Sequence, residues 1–346
     1  PRDKEGYKKL LIHSKNIYDI AFTKLSAIPF DRFMLMISLV PKLLVLKSYE
    51  SVWGMVSRHL MNPKLRQAFS IQPLLVGGNP FSTTSIYGLI HYLERRFGIF
   101  FPMGGTGAIV NAYKNLMERN NIEIILNQSV KKIIIDNGKA VGLTLDDGSK
   151  VGADIIVSNA DPTYLYQNMV DQEDVAIASK VKIKLAHYSM GLMVIYFGTT
   201  RKYPDVVHHT IWLGKTYKEL LSNIFDKKIL SDDFSLYIHR PTATDASFAP
   251  EGCDSFYVLC PVPNLKADID WSIEGEILKN KIIDALDQTI LPDLKKHMTE
   301  DFFMTPKDFQ SNYLSTHGAG FSIAPLFRQS AWFRFHNKAE GIKNLY

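Results

Sequence analysis

The spacing of apolar residues predicts a helical first third followed by a β-rich remainder. From residue 4 to about 70, apolar side chains recur every three to four positions, and Pro29, Pro41 and Pro63 mark helix boundaries. Farther along, period-two runs predict strands, separated by hairpin turns at Asp136-Asn137-Gly138 and Asp146-Asp147-Gly148. The predicted strands are 123–126, 129–136, 140–145, 153–157, 191–198, 234–239 and 255–262, with further helices at about 215–226 and 274–298. The pattern predicts a mixed α/β (α+β) protein.

One stretch in the helical third is unusually apolar. Residues 33–46 read FMLMISLVPKLLVL, interrupted only by Ser38, Pro41 and Lys42. Because a spanning helix needs about 20 apolar residues, this stretch is too short to cross a bilayer. Two interpretations remain open: it packs into the protein core, or it lies in the interface of a membrane.

Composition indicates an ordinary folded protein and excludes some classes of function. Hydrophobic residues make up 46% and charged residues 22% of the 346 positions. The net charge of +5 is too small and too scattered to indicate nucleic-acid binding, although it is compatible with a mild preference for anionic membranes. Cys253 and Cys260 lack companion ligands, so we expect reduced cysteines in a cytoplasmic protein and no metal site.

A glycine-rich turn precedes the predicted helix that starts near residue 107. Its sequence, Gly105-Thr106-Gly107-Ala108-Ile109-Val110, begins like the dinucleotide fingerprint G-x-G-x-x-G but has valine in place of the third glycine. A glycine turn at a helix N-terminus still presents backbone N–H groups to a ligand. Either a ligand-facing role or a plain structural turn is therefore open.

Longer motifs carry a family resemblance that covers essentially the whole chain. They are Pro1-Arg2-Asp3, Gly6-Tyr7, LRQAFSIQPLLVGGNPFSTTSIYGLIHYLE at 65–94, FPMGGTG at 101–107, VSNAD at 157–161, HHT at 208–210, DDFSLY at 232–237, Thr244-Asp245, APEG at 249–252, PVP at 261–263, Asp270-Trp271 and QSAWFR at 329–334. Together these segments resemble the bacterial-type phytoene desaturase family, within the flavoprotein superfamily that also holds the amine oxidases.

The resemblance implies a two-domain FAD-dependent flavoprotein of which this chain is the central part. In that scheme residues 1–98 form a helical region facing substrate and membrane, and 99–165 form part of the FAD-binding domain. Residues 166–330 then form an α+β substrate domain, and 331–346 return to the FAD-binding domain. The family's N-terminal G-x-G-x-x-G and its glycine-rich C-terminal motif are not in this sequence, so the chain is expected to supply the middle flavin contacts.

The resemblance also implies particular cofactor contacts. The expected cofactor-binding residues, counting the glycine turn, are Gly105, Gly107, Val130, Asn159, Ala160 and Asp161. An alternative is open for two of them, since Val130 suits any buried strand and Asp161-Pro162 suits a helix cap.

The function implied is FAD-dependent desaturation of a long apolar polyene, phytoene towards lycopene, in carotenoid biosynthesis. One hydrogen would leave as a hydride and one as a proton, and His208, His209 and Arg334 are the candidate catalytic residues. The expected partners are the carotenoid, a membrane surface, and quinone or oxygen as electron acceptor, and an oligomer is compatible with the sequence.

The expected location is cytoplasmic and peripheral to the membrane. A substrate dissolved in lipid favours the interfacial interpretation of residues 33–46. Two alternatives stay open: a sister desaturase or oxidase acting on a C30 substrate, and an inactive module, in the isolated chain, that binds hydrophobic substrate or membrane.

Overall fold

A computed structural model describes residues 2–346 as two compact units. The first unit comprises the segment ending at Ile99, Asn127–Ser189 and Phe321–Tyr346, and the second comprises Phe100–Leu126 and Met190–Gly320. The α-helices are α1 Arg2–Ala21, α2 Phe33–Val45, α3 Val52–His59, α4 Pro63–Ala68, α5 Leu89–Phe97, α6 Gly105–Arg119, α7 Pro162–Tyr164, α8 Ile177–Leu185, α9 Tyr217–Ser222, α10 Trp271–Asp287, α11 Leu294–His297 and α12 Pro306–Tyr313. The strands are β1 Val130–Asp136, β2 Lys139–Leu145, β3 Lys150–Gly152, β4 Gly191–Thr199, β5 His209–Trp212, β6 Leu236–His239, β7 Asp254–Val262 and β8 Met298–Met304. The predicted mixed α/β fold is confirmed.

The two units divide the chain differently from the four predicted domains. The N-terminal helices belong to the same unit as the β1–β3 sheet, whereas the sequence-based scheme separates them at residue 98. The second unit takes in α6 and the whole stretch from β4 to α12. The functional roles given to the four predicted domains stay predictions.

In the first unit, α1 packs against α3 and α5. A Cβ on Gly6 would lie only 2.0 Å from the carbonyl oxygen of His59, so this crossing requires glycine. The Asp3 carboxylate accepts the backbone N–H of Met61 at 2.6 Å and ties the start of α1 to the end of α3. The apolar side chains fully buried here include Leu10, Ile17, Val52, Met55, Val56 and Leu60.

The sheet of the first unit is an antiparallel meander in the order β1-β2-β3. Asn137 and Gly138 connect β1 to β2 with φ angles of 49° and 72°, the paired positive values of a tight hairpin turn. The predicted hairpin is thus confirmed.

The end of the chain adds a parallel strand-like segment to this unit. Leu345 is fully buried and bridges Ile156 in parallel, with hydrogen bonds from Ile156 N–H to Asn344 at 2.8 Å and from Tyr346 N–H to Ile156 at 2.9 Å. The prediction of a strand at 153–157 is wrong beyond this single bridge.

The predicted strand at 123–126 is also wrong, since the structure assigns no strand there. A strand exists only where a neighbour completes its ladder of hydrogen bonds. Leu126 is 75% exposed, and no described residue pairs with this segment in a sheet. The apolar pattern of this segment is typical of a strand, but among residues 2–346 the segment has no partner strand to pair with.

The second unit is built on a five-stranded antiparallel sheet in the order β5-β6-β7-β4-β8. β4 and β7 run in unbroken register from Gly191 opposite Val262 to Thr199 opposite Asp254. Alternate residues of β7 are buried, and α10 packs on that buried side with Trp271, Leu278, Ile282 and Leu286 in one core with Phe256 and Val258.

The helix predicted at 274–298 is wrong in its second half. α10 ends at Asp287, a turn follows, and the four-residue α11 leads directly into β8. Pro292 and the left-handed Asp293 (φ 60°) prevent a continuous helix. β5 and β8 are strands that the sequence pattern did not predict.

Buried histidines make the stability of the protein depend on pH. His91 on α5 is 4% exposed, and burial lowers its pKa to about 4. Between about pH 6.5 and 4 the unfolded chain binds a proton here that the folded chain does not, so stability falls as the pH falls through this window. We expect His91 alone to account for a loss of about 3 kcal/mol at pH 4. Urea unfolding measured from pH 7 to 4 checks this: His91→Gln should flatten the dependence, and an unchanged slope would contradict it.

Candidate functional site

A cavity of about 610 Å³ lies within the first unit. Its apolar walls come from α2, through Met36, Leu39 and Leu43, and from the segment that follows α1. A second, more polar wall is formed by the chain between Phe327 and Lys338 and by Tyr346. A cavity of this size, apolar with a few convergent polar groups, is typical of a small-molecule site.

Helix α2 has two apolar faces with different environments. Met36 and Leu39 are 8% and 5% exposed and face the cavity, whereas Met34 and Val45 are 72% and 82% exposed. The core interpretation of residues 33–46 therefore describes the inner face of α2, and contact of the outer face with a membrane stays a prediction. None of the helices among residues 2–346 combines the length and the apolarity needed to cross a membrane.

Tyr87, Ser330 and Arg334 meet on the polar wall. Burial raises the pKa of the Tyr87 hydroxyl, while the Arg334 charge and a hydrogen bond with Ser330 act in the opposite direction. Arg334 is half-buried, and no carboxylate among the described residues forms an ion pair with its guanidinium. The wall therefore presents an uncompensated positive charge beside the cavity.

A polar cluster, half-buried apart from the buried Ser179, holds this wall in place. The Lys182 ammonium binds Glu340 and donates to the carbonyl oxygen of Arg334 at 2.9 Å. Ser179 donates to the same carboxylate at 2.7 Å, and His336 Nδ1 lies 3.2 Å from it. Burial by itself raises the pKa of Glu340, but the Lys182 and Ser179 hydrogen bonds outweigh it and the pKa is lowered. These contacts fix the position of the segment that carries Arg334 and His336.

The predicted contacts Val130 and Asn159-Ala160-Asp161 all lie in the first unit. Val130 begins β1 and packs half-buried against the core beneath the sheet. Asp161 accepts the N–H groups of Thr163 at 2.9 Å and Tyr164 at 3.1 Å, so the helix-cap alternative describes its side chain. Flavin contact at these residues stays a prediction.

Asn159 and Ala160 follow directly from the segment around Ile156. Ile156 bridges Leu345 in parallel, and the Ser158 N–H donates to the Tyr346 carbonyl at 2.8 Å. These bonds fix the backbone that leads into Asn159.

Gly105 and Gly107 begin α6 in the second unit. The Gly104 N–H donates to Asp245 at 2.7 Å and the Gly105 N–H to Pro102 at 2.8 Å, so both groups are used within the protein. Gly105 has φ +70° and a Cβ there would lie 2.6 Å from the Phe248 ring. These contacts account for the turn as structure, and a flavin-facing role stays a prediction.

The structure brings His208 and His209 together with a third histidine, His239, which the sequence-based reasoning missed. His209 on β5 lies opposite His239 on β6, and the rings of His208 and His239 are 4.6 Å apart at their centroids. Burial lowers the pKa of all three, that of His239 to about 4. The third candidate, Arg334, lies in the first unit. His239 comes next to His208 and His209 through the pairing register of β5 and β6, which no local sequence motif predicts.

Comparisons with known proteins agree with this architecture. The family model described as flavin containing amine oxidoreductase matches residues 14–346. The chain is 41% identical to a lycopene-forming phytoene desaturase of Pantoea ananas and 39% identical to a neurosporene-forming one of Rhodobacter capsulatus. Both alignments cover the whole chain, and they span 70% and 67% of those relatives. The chain also resembles the crystal structure of an oxidoreductase from Methanosarcina mazei, with a TM-score of 0.56 and 17% sequence identity. The match covers 79% of this chain and 60% of the chain of that oxidoreductase, and it shows the fold.

This chain belongs to the flavin containing amine oxidoreductase family. The resemblance to phytoene desaturases is confirmed, and with it an FAD-dependent oxidoreductase. The polar wall of the first unit fits the flavin, since Arg334, which has no ion-pair partner among the described residues, suits a polar edge of the flavin ring system. FAD, when bound, supplies the capacity to accept a hydride.

Proposed function

We propose that this protein desaturates a long apolar polyene, converting phytoene towards lycopene with FAD as hydride acceptor in carotenoid biosynthesis. The observation that carries the proposal is the apolar cavity whose wall is the inner face of α2, a helix whose other face is apolar and exposed. The names of the relatives, phytoene desaturases forming lycopene or neurosporene, support the same substrate.

Binding in such a cavity rests on apolar area. A hydrocarbon offers no hydrogen bonds, so its affinity comes from surface removed from water, at about 25 cal/mol per Å². Met36, Leu39 and Leu43 supply that surface and exclude water from the polyene.

The chain's own polar groups have positioning roles in this proposal. Asn159, Ala160, Asp161 and Val130 contact the cofactor from the sheet side. In this proposal Arg334 faces the cofactor's polar edge, and its guanidinium, which has five N–H donors and no acceptor, does not serve as the proton acceptor.

The outer face of α2 rests on a membrane in this proposal, with the protein peripheral to the cytoplasmic side. The substrate then enters the cavity from the lipid, past a helix that belongs to both surfaces. Reoxidation of the flavin by quinone or oxygen completes the cycle.

Two neighbouring leucines on α2 give a matched test of the cavity. Leu43 lines it, whereas Leu44 is 57% exposed on the opposite face. We expect Leu43→Trp to lower kcat/KM for phytoene in liposomes by about tenfold or more, because overpacking costs about 1–3 kcal/mol. Leu44→Trp should stay within about twofold, since tryptophan is tolerated at a membrane interface. Equal effects of the two substitutions would contradict the assignment of the cavity.

The proposed desaturase activity is tested with the full-length protein, by recording its flavin absorption spectrum and by assaying it with phytoene in liposomes. Bound flavin and conversion of phytoene in liposomes support the proposal, and the absence of bound flavin overturns it. Conversion of a C30 polyene while phytoene is untouched would instead establish the sister activity. The chain of residues 1–346 alone, assayed beside it, shows whether the isolated portion only binds substrate or membrane.

A further inference from the structure

We propose that His208, His209 and His239 form a binding site for a divalent first-row transition metal ion of the zinc type. One ring nitrogen of each residue lies within 4.8 Å of the corresponding nitrogens of the other two. The site lies within the second unit, where β5 and β6 meet. It belongs to a different unit from the cavity, and none of the three histidines lines that cavity.

Strand register builds the cluster. His209 and His239 are directly opposite each other on antiparallel strands, so their side chains project from the same face. His208 precedes β5, and its carbonyl oxygen accepts the N–H of Arg240 at 3.0 Å, which fixes its backbone beside β6. The ring centroids are 4.4 Å apart for His208 and His209 and 5.4 Å apart for His209 and His239.

Hydrogen bonds engage the same nitrogen, Nδ1, in all three rings. His208 Nδ1 lies 2.6 Å from the Thr244 hydroxyl, and the Nδ1 atoms of His209 and His239 lie 2.6 and 3.1 Å from the Tyr237 hydroxyl. Metal-binding histidines are commonly oriented by a hydrogen bond at the ring nitrogen that does not bind the metal.

The proton inventory then leaves the three Nε2 lone pairs for a metal. This holds in the tautomer in which each Nδ1 carries the ring proton. Tyr237 is itself hydrogen-bonded to Tyr257, so in that tautomer its oxygen accepts from the Nδ1 atoms of His209 and His239. The Thr244 hydroxyl oxygen then accepts from His208 Nδ1. Among the described residues, His208 Nε2 is buried and has no hydrogen-bond partner.

The surroundings favour the neutral imidazoles that a metal requires. His208 is half-buried and His239 is buried, so these two imidazoles lie in a largely dry corner of the sheet. The nearby Arg240 charge is compensated by Asp254 at 3.0 Å. His209 is exposed, which gives an ion a path from solvent.

Three nitrogen ligands select the class of ion. Imidazole suits zinc, copper, nickel and iron, whereas calcium and magnesium require oxygen ligands. Nitrogens bound at about 2.0–2.1 Å in a tetrahedral site are about 3.4 Å apart, so three rings that each have a nitrogen within 4.8 Å of the others need only small side-chain rotations to bind one ion. Three protein ligands leave the fourth position open.

The test titrates the untagged full-length protein, stripped by a chelator, with Zn²⁺ and Co²⁺ alone. We expect one ion per chain, the visible absorption of Co²⁺ in nitrogen coordination, and a higher melting temperature with metal. His209→Gln, at an exposed position, and His208→Gln should each lower the affinity at least tenfold. Tyr237→Phe should weaken binding about 10- to 100-fold while keeping all three ligands.

The matched control is His13→Gln, at a histidine of the first unit that contacts only one other histidine, His59, at 3.4 Å. Its affinity for the ion should equal that of the parent protein. No stoichiometric binding by the parent, or binding that survives both His208→Gln and His209→Gln, would overturn the metal site.

Discussion

Replacing both Met34 and Val45 by glutamate is expected to release the full-length protein from lipid vesicles. Both side chains are more than two-thirds exposed on the outer face of α2, and neither lines the cavity. Burying a side chain of this kind in lipid contributes about 1.5–3 kcal/mol, so losing two of them lowers the vesicle partition coefficient by about 10²- to 10⁴-fold. Cosedimentation with phosphatidylglycerol vesicles measures it.

The face is continuous enough to act as one surface. Its other exposed apolar members are Phe33, Ile37, Val40 and Leu44. Lys42 and Lys47 lie beside them and favour anionic headgroups. In the proposed orientation this face is buried in the headgroup region while the inner face stays on the cavity, so the proposal assigns lipid contact and substrate entry to the same helix.

A substitution on another helix of the first unit tests whether vesicle binding depends on the outer face of α2 in particular or on any exposed apolar residue. Ile12 on α1 is 62% exposed, and Ile12→Glu adds one negative charge, half of that in the double variant, on another helix. It should leave vesicle binding within about twofold of the parent. Vesicle binding unchanged in the α2 double variant would eliminate α2 as the membrane contact, and an equal loss for Ile12→Glu would remove its specificity.

The fold was predictable where neighbouring residues determine the structure. The turn at Asn137-Gly138 and the alternation along β7 need only local sequence and a half-buried face. The segment 123–126 shows the limit, because its apolar pattern is strand-like but a strand also requires a neighbour. α2 shows another limit, since an apolar helix does not reveal which of its faces meets the cavity.

The candidate sites were predictable in their parts but not in their grouping. The pair His208-His209 was recognisable as a motif, whereas His239 joins it through the β5–β6 register. Arg334 was predicted from its motif. The contacts that fix its backbone, from Lys182 to the Arg334 carbonyl oxygen and to Glu340, join residues more than 150 positions apart in the sequence. Such long-range contacts depend on the packed fold and leave no periodic signal.

Asp254→Ala is expected to lower the free energy of unfolding of the second unit by about 3–5 kcal/mol, because it leaves a buried guanidinium without its partner. The Asp254 side chain is 1% exposed and that of Arg240 is 10% exposed, at 3.0 Å. The carboxylate also accepts the Tyr203 N–H at 2.7 Å and the Thr242 hydroxyl at 2.5 Å. Urea unfolding followed by the fluorescence of Trp271, in the core of that unit, measures the loss.

A double-mutant cycle separates the charge from the packing. Asp254→Asn keeps the size and an acceptor but removes the charge, and Arg240→Met removes the cation. If the unpaired charge dominates, the Asp254→Ala/Arg240→Met double variant recovers part of the stability lost in Asp254→Ala. Additive losses would show that the hydrogen bonds to Tyr203 and Thr242 dominate instead.

Arg240 directly follows His239, the last residue of β6. Loss of the Arg240–Asp254 ion pair should therefore also weaken metal binding at the histidine cluster proposed above.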